Sequence, residues 1–286
     1  MRHAETSIVR RDRRQVMTGL AGLGLAAALP IRPAQAMRLE HAFAARPGGS
    51  ARIDHSAWTH LLERYRKPGA DGIARLDYRS WKQSGRRALA SYLGHLVAGD
   101  PRLLDPQGQF AYWINLYNAK TVDVVLDHYP VHSIKDINLG GSLLAAVTGG
   151  PWAAKIVRLA GIDLSLDDIE HEILRPVFKE ARVHYALNCA SLGCPNLSRE
   201  AFEATTLETM LDAAAAEFIN HPRAVRRGAT GLVVSSLYEW FEDDFGGGEI
   251  GVRRHLRRYA GPALAGLLSD QAAISGYEYD WTLNDV

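Results

Sequence analysis

Gln109-Phe110-Ala111-Tyr112-Trp113-Ile114-Asn115-Leu116-Tyr117-Asn118-Ala119-Lys120-Thr121-Val122-Asp123-Val124-Val125-Leu126-Asp127-His128 decides the fold. Wound as a helix, this stretch is apolar nearly all round, which predicts a central helix buried on every side. Pro130 ends it. Upstream, Asp54 caps a helix whose Trp58, Leu61, Leu62 and Tyr65 recur at i, i+3, i+4 and i+7. A turn at Lys67 to Gly72 and a short extended piece, Ile73 to Tyr78, lead to a second helix with Leu89, Tyr92, Leu93 and Leu96 at the same spacing. Asp100-Pro101 stops that helix.

Downstream, Ile156 to Leu159, Ala160-Gly161 and Ile162 to Leu164 read as a hairpin. Ser165 with Asp168 opens a capped helix that runs through Arg175 and ends at Pro176. Val183 to Cys189 reads as a strand. Thr205 with Glu208 forms a capping box ahead of the Ala-rich helix Leu207 to Ile219. A second hairpin spans Ala224 to Ser235. An aromatic helix, Leu237 to Phe245, stops at Gly246-Gly247-Gly248, Ile250 to Tyr259 is helical, and Ile274 to Trp281 is a terminal strand. Helices dominate and strands are scattered antiparallel pieces. The class is therefore α+β: a helix-rich single domain with hairpins around a central apolar helix.

The first 36 residues read as an export signal peptide. Arg13-Arg14 precede a weakly apolar run, Gly19 to Leu29, and Ala34-Gln35-Ala36 offers a cleavage site. The paired arginines with Gln15 and Val16 resemble a twin-arginine export signal, so the expected location is the periplasm or the exterior. A membrane anchor is the competing reading, but 11 apolar positions fall short of the roughly 20 a spanning helix needs. Residues 37–51 are rich in Gly, Pro and Ala and are expected to be a flexible lead. Residues 52–286 then form one globular domain. Without the six arginines and two acids of the signal, 27 basic face 30 acidic side chains. That balance argues against a nucleic-acid partner or a stable membrane attachment after cleavage.

The chemistry concentrates in Arg182-Val183-His184-Tyr185-Ala186-Leu187-Asn188-Cys189-Ala190-Ser191-Leu192-Gly193-Cys194-Pro195, which holds both cysteines of the chain. A thiol attacks as thiolate, which needs a cation, a histidine or a helix N-terminus nearby. Strand alternation would put His184, Ala186 and Asn188 on one face and Cys189 on the other, so His184 reaches the sulfur only if the chain turns at Asn188. Cys194 before Pro195 stands at a helix N-terminus unless Ser198 is the cap. The structural reading is a disulfide across Ala190-Ser191-Leu192-Gly193, with the Cα atoms about 4.4–6.8 Å apart. It would contribute about 2 kcal/mol and suits an oxidising compartment. A twin-arginine substrate folds before export, so such a bridge would form late. The spacing is not that of a C-x-x-C redox motif. A metal site of His171, His184, Cys189 and Cys194 lacks the usual histidine spacing.

Four stretches together resemble the domain-of-unknown-function 547 family: Phe110 to Asn118, Asp168-Ile169-Glu170-His171 with Ile173-Leu174-Arg175, Arg182 to Pro195, and Tyr279-Asp280-Trp281-Thr282-Leu283-Asn284. Trp240 to Phe245 fits as well, and the resemblance runs from about Trp58 to the C-terminus. It implies one continuous domain and transfers no activity, since the family name records none.

The candidate catalytic residues are Cys189 as nucleophile, His184 or His171 as base, and Asn188 or Asn118 as orienter or oxyanion donor. His171 has a plainer role as an ion pair with Asp167. Asn115, Asn118, Asp280 and Asn284 are candidates for a polar cleft, or for holding the backbone of neighbouring loops. No cofactor is expected, because Gly246-Gly247-Gly248 follows a helix and lacks the residues of a phosphate loop. Two functions follow: a thiol hydrolase or acyl transferase acting on a small-molecule or peptide ligand, or a non-catalytic binding or scaffolding domain stapled by Cys189–Cys194.

Overall fold

Residues 39–46, 48–139, 150–269 and 273–286 are described by the computed structural model of the chain; the expected signal at 1–36 lies outside them. Within the segment read as a flexible lead, residues 39–42 are helical and Leu39 and Phe43 are buried. The Phe43 ring meets Trp113 edge-on at 5.1 Å, and its carbonyl accepts from Gln109 Nε2 at 2.6 Å. Two large apolar side chains outweigh the loop-like composition around them.

Helix α1, Ser56–Tyr65, buries Trp58, Leu61, Leu62 and Tyr65, the four positions the spacing selects. Asp54 Oδ1 accepts the Ser56 N–H at 2.8 Å. Strands β1, Arg66–Lys67, and β2, Arg75–Leu76, pair antiparallel. The seven-residue helix α2, Tyr78–Ser84, is too short to show a period in the sequence; Asp77 caps it and Tyr78 and Trp81 anchor it. Helix α3, Arg86–Ala98, buries Leu89, Tyr92, Leu93 and Leu96. Helix α4, Pro106–His128, is capped by Asp105, and every residue from Gln109 to Ala119 is buried. It is the axis of the larger core.

Strands β3, Val157–Leu159, and β4, Ile162–Leu164, form the expected hairpin. Ser165 and Asp168 cap each other reciprocally, at 2.7 and 3.1 Å. The coil that follows is a π-helix over Asp168–Leu174, and it continues as α5, Arg175–Phe178. Pro176 therefore does not end it. It occupies the first turn of α5, where a missing N–H costs least, and Lys179, at φ 50°, makes the stop.

Val183 to Cys189 is not a strand. Val183–Ala186 is a helical turn, α6, and the chain extends only from Leu187. Residues 183–188 are buried on all sides, and a short apolar run carries no period that separates strand from buried helix. Helix α7, Leu207–Ile219, forms, but Thr205 and Glu208 do not box it: the N-cap is Thr206, with no side-chain bond. Glu208 is drawn to the Arg182 guanidinium at 2.7 Å.

Strands β5, Val225–Arg227, and β6, Leu232–Ser235, form the second hairpin. Helices α8, Leu237–Trp240, α9, Gly248–Tyr259, and α10, Pro262–Ser269, follow. The last strand, β7, Ile274–Glu278, lies parallel to β6, an exception to the antiparallel pairing. Tyr185, Phe218, Tyr238, Phe245 and Leu256 belong to a second, smaller core. Among the described residues no helix is long and apolar enough to cross a membrane. The architecture is α+β.

Burial holds the imidazoles of His55 and His255 down to about 4, and that of His184 below its ordinary value. His55 and His255 are favoured neutral in the fold, so the contribution of each is complete above the unfolded value of 6.5 and is lost as pH falls toward 4. Shifts of that size are worth on the order of 3 kcal/mol per histidine. Urea denaturation should show stability falling steadily from pH 6.5 to 4. A flat profile across that window would remove the buried neutral histidines from the account.

Candidate functional site

The loop from Ala186 to Asn196 is held from three directions. From α4, the Asn118 amide donates to the Ala186 carbonyl at 2.8 Å and accepts the Asn188 N–H at 2.9 Å. Asn115, one turn earlier, treats Phe202 the same way, at 2.8 and 3.0 Å. Both buried amides thus serve the backbone of neighbouring loops, and neither opens into a cleft. Within the loop, Asn188 donates to the Pro195 carbonyl at 2.8 Å and accepts from the Ala190 N–H at 2.9 Å. From the C-terminal segment, the carbonyls of Thr282 and Asp280 accept the N–H groups of Leu192 and Gly193, each at 2.8 Å.

Asn284 is buried. It donates to Asn188 Oδ1 at 3.3 Å and accepts from the Tyr78 hydroxyl at 2.8 Å. Asp280 is exposed, and its carboxylate turns back onto the Thr282 N–H at 2.8 Å. Gly193 is required by close approach, because a Cβ there would stand 2.7 Å from the Asp280 nitrogen. Ala190, fully buried, sits at φ 63°, a conformation that costs about 1–2 kcal/mol for a residue with a side chain and so persists under constraint from its surroundings.

This bracing presents the Cys189 sulfur. Its Sγ lies 3.0 Å from the Tyr279 hydroxyl and 3.3 Å from the Ser191 hydroxyl. The two hydroxyls are 3.2 Å apart. Cys194 is buried behind it, with its Sγ 3.0 Å from the Cys189 N–H. Both cysteines are free thiols, and the pair approaches to 3.1 Å. Cys189 is half-buried and Cys194 is 4% exposed. The Cys194 thiol, then the Ser191 and Tyr279 hydroxyls, hydrogen-bond to the Cys189 sulfur and hold its pKa below the ordinary thiol value against the cost of burial. Burial, and then the neighbouring Cys189 sulfur, push Cys194 well up. Ionisation is thus easier at Cys189 than at Cys194.

The histidines lie elsewhere. His184 Nε2 is 2.7 Å from Asp244 Oδ2, its ring stacks on Phe241 at 4.0 Å, and its Nδ1 is 3.9 Å from Glu170. Arg175 shares the same Asp244 oxygen at 2.6 Å and also lies 3.3 Å from His171 Nδ1. His171 faces Asp167 at 3.8 Å, the surface ion pair of the plainer reading. The Asp244 carboxyl is held well below the usual carboxylate range by His184 and Arg175, against burial. Neither imidazole is bonded to the Cys189 sulfur. The expected sharing of a strand was wrong, and α6 turns His184 toward Asp244 instead. His171, His184, Cys189 and Cys194 do not converge, and among the described residues no group of three such side chains is placed to hold a metal ion.

Five contributors were not singled out in the sequence. Tyr279 and Ser191 lay inside quoted stretches but carry no signal of reactivity by type. Glu170 stands 3.9 Å from His184 and within electrostatic reach of Cys189. Asp244 and Arg223 come from distant segments. Arg223 donates to the Leu192 carbonyl at 2.9 Å and to Asn196 Oδ1 at 2.8 Å.

Fold and site together define a helix-rich α+β protein built around a braced two-thiol loop. Residues 101–219 match the model of a family described as "Protein of unknown function, DUF547". That span supports the resemblance and is narrower than the range from Trp58 to the C-terminus. It includes α4, the π-helix and both cysteines, and it stops short of Arg223, Asp244 and Tyr279. No curated protein and no solved structure matches the chain.

Proposed function

We propose that this is an exported thiol enzyme, a hydrolase or acyl transferase, in which Cys189 is the nucleophile. The observation that carries this reading is the half-buried Cys189, whose sulfur lies within hydrogen-bond distance of the Tyr279 and Ser191 hydroxyls and 3.1 Å from Cys194. Neighbours that ease ionisation of the thiol lessen its need for a bonded imidazole at the moment of attack. The thiolate adds to the carbonyl carbon of an ester or amide, the C–O or C–N bond breaks, and the leaving group takes up a proton from solvent relayed through the Ser191–Tyr279 hydroxyl pair. The acyl group then moves from sulfur to water or to a second acceptor. Export rests on the Arg13-Arg14 segment, and the expected ligand is a small molecule or peptide.

A second reading is favoured by the approach of the two cysteines to 3.1 Å: a binding or scaffolding domain in which Cys189 and Cys194 are permanently bridged. Thiol titration of the native protein, with and without urea, separates the two. The enzyme reading expects one rapidly reacting thiol in the native state, and no free thiol in either state would leave the staple. The alkylation rate of Cys189 followed against pH should have its midpoint below 9.0, the unperturbed thiol value. Tyr279→Phe, which removes one donor to the sulfur, should move that midpoint upward. A midpoint at or above 9.0 in the native protein would sink the activated-thiol reading.

A further inference from the structure

We propose that Cys189 and Cys194 also form a reversible dithiol–disulfide couple, with Cys189 as the attacking and Cys194 as the resolving thiol. This rests on Cys189 being the reactive nucleophile, but it does not require acyl transfer. The substrate class is a small or peptide-borne disulfide, RSSR.

The argument begins with asymmetry of access. Cys189 is half-buried, whereas Cys194 is almost wholly enclosed. Of the two residues Cys189 is the more exposed, so an external disulfide would approach it first. The Cys189 thiolate attacks RSSR, the S–S bond of the reagent breaks, and one RS⁻ leaves and takes up a proton. Cys194, 3.1 Å away, then gives up its proton and attacks the Cys189 sulfur. The Cys189–SR bond breaks and the second RS⁻ leaves as RSH. Two electrons and two protons pass from the dithiol to RSSR, giving the internal disulfide and two RSH.

The surroundings favour this order. The Cys189 N–H points at Cys194 Sγ at 3.0 Å and stabilises charge on that sulfur. The Arg223 guanidinium, held by Leu192 and Asn196, lies within electrostatic reach of Cys194. After burial, what keeps Cys194 protonated is the hydrogen bond and the charge of the Cys189 sulfur. Forming the mixed disulfide removes that charge, so capping the first thiol readies the second. The loop needs little rearrangement to bring the sulfurs to about 2.05 Å, because both its ends are already fixed by Asn118, Asn188 and the 280–284 segment.

The experiment uses the full-length reduced protein, equilibrated with graded ratios of oxidised to reduced glutathione, acid-quenched, alkylated and weighed intact. The expected result is joint loss of both free thiols with no retained glutathione, recovered when the ratio is reversed. Cys194→Ser should retain one glutathione, and Cys189→Ser none. A disulfide that reduced glutathione cannot reopen would overturn the couple in favour of a static staple. A wild-type protein that retains a glutathione adduct would overturn the resolving role of Cys194. Two thiols that stay free at every ratio, while Cys189 is still alkylated quickly, would overturn this inference and leave the nucleophile intact. Failure of alkylation as well would remove both. The wild-type measurement stands even if a variant folds poorly.

Discussion

Cys189→Ser should abolish rapid alkylation of the native protein at neutral pH and lower turnover of activated esters by roughly 10³-fold or more. The size follows from the chemistry. A serine hydroxyl in the same place would meet the same Ser191 and Tyr279 hydroxyls, but such bonds cannot bring an alcohol into its anionic form near neutrality. Among the described residues no imidazole is bonded to the Cys189 sulfur to take the proton instead, and His184 is committed to Asp244. A loss of 10³ corresponds to about 4 kcal/mol of transition-state stabilisation. Cys194→Ala is the control. It removes the Cys194 side chain as a donor to Cys189 and should raise the alkylation midpoint while leaving a nucleophile in place. His184→Gln should leave the alkylation rate of the native protein within a few-fold, because that ring does not touch the sulfur. Ester turnover surviving in Cys189→Ser would mean that the reactive centre is elsewhere, and a collapse of alkylation in a folded His184→Gln protein would restore the histidine as its base.

The sequence carried the helices well because their burial is periodic. Trp58 with Tyr65 and Leu89 with Leu96 sit one turn-pair apart, and both sets are buried in α1 and α3. The all-round apolar character of Gln109 to His128 likewise leaves no solution but a central helix. Where a segment is short and wholly enclosed, the period vanishes. Val183 to Ala186 has no polar face, so nothing in its composition distinguishes a helical turn from a strand. That single misreading moved His184 to the wrong neighbourhood. The two-thiol loop itself was legible, because cysteines, an asparagine and a glycine cluster there. Its partners were not, because Tyr279 and Arg223 approach from 90 and 34 residues beyond Cys189, and only the folded chain brings them together. Glu208 shows the same limit from the other side: a sound local cap was available, and the Arg182 guanidinium, paired also with Glu180 and Asp212, took the carboxylate instead.

Asn118→Ala should cost about 2–5 kcal/mol of folding stability and disable the thiol at the same time. The Asn118 side chain is fully enclosed on α4 and makes two bonds, to the Ala186 carbonyl and from the Asn188 N–H. Alanine leaves both of those buried backbone groups without a partner, at about 1–3 kcal/mol each. Water cannot easily replace the amide in a site enclosed by Tyr117, Ala186 and Leu187, all nearly inaccessible. The Ala186 to Asn188 segment then loses its register against α4, and Cys189 is the next residue. Its alkylation midpoint should rise toward the unperturbed value as the bonds to Ser191 and Tyr279 loosen. Asn115→Ala supplies the comparison that separates stability from function. It removes an equivalent clamp on Phe202 and should lower stability by a similar amount, yet it should leave the midpoint where it was. Urea denaturation with matched slopes gives the first quantity and native-state alkylation against pH gives the second. Equal shifts of the midpoint in both variants would mean that the thiol responds to global loosening, and a change below about 0.5 kcal/mol in Asn118→Ala would mean that the amide is not the clamp its geometry describes.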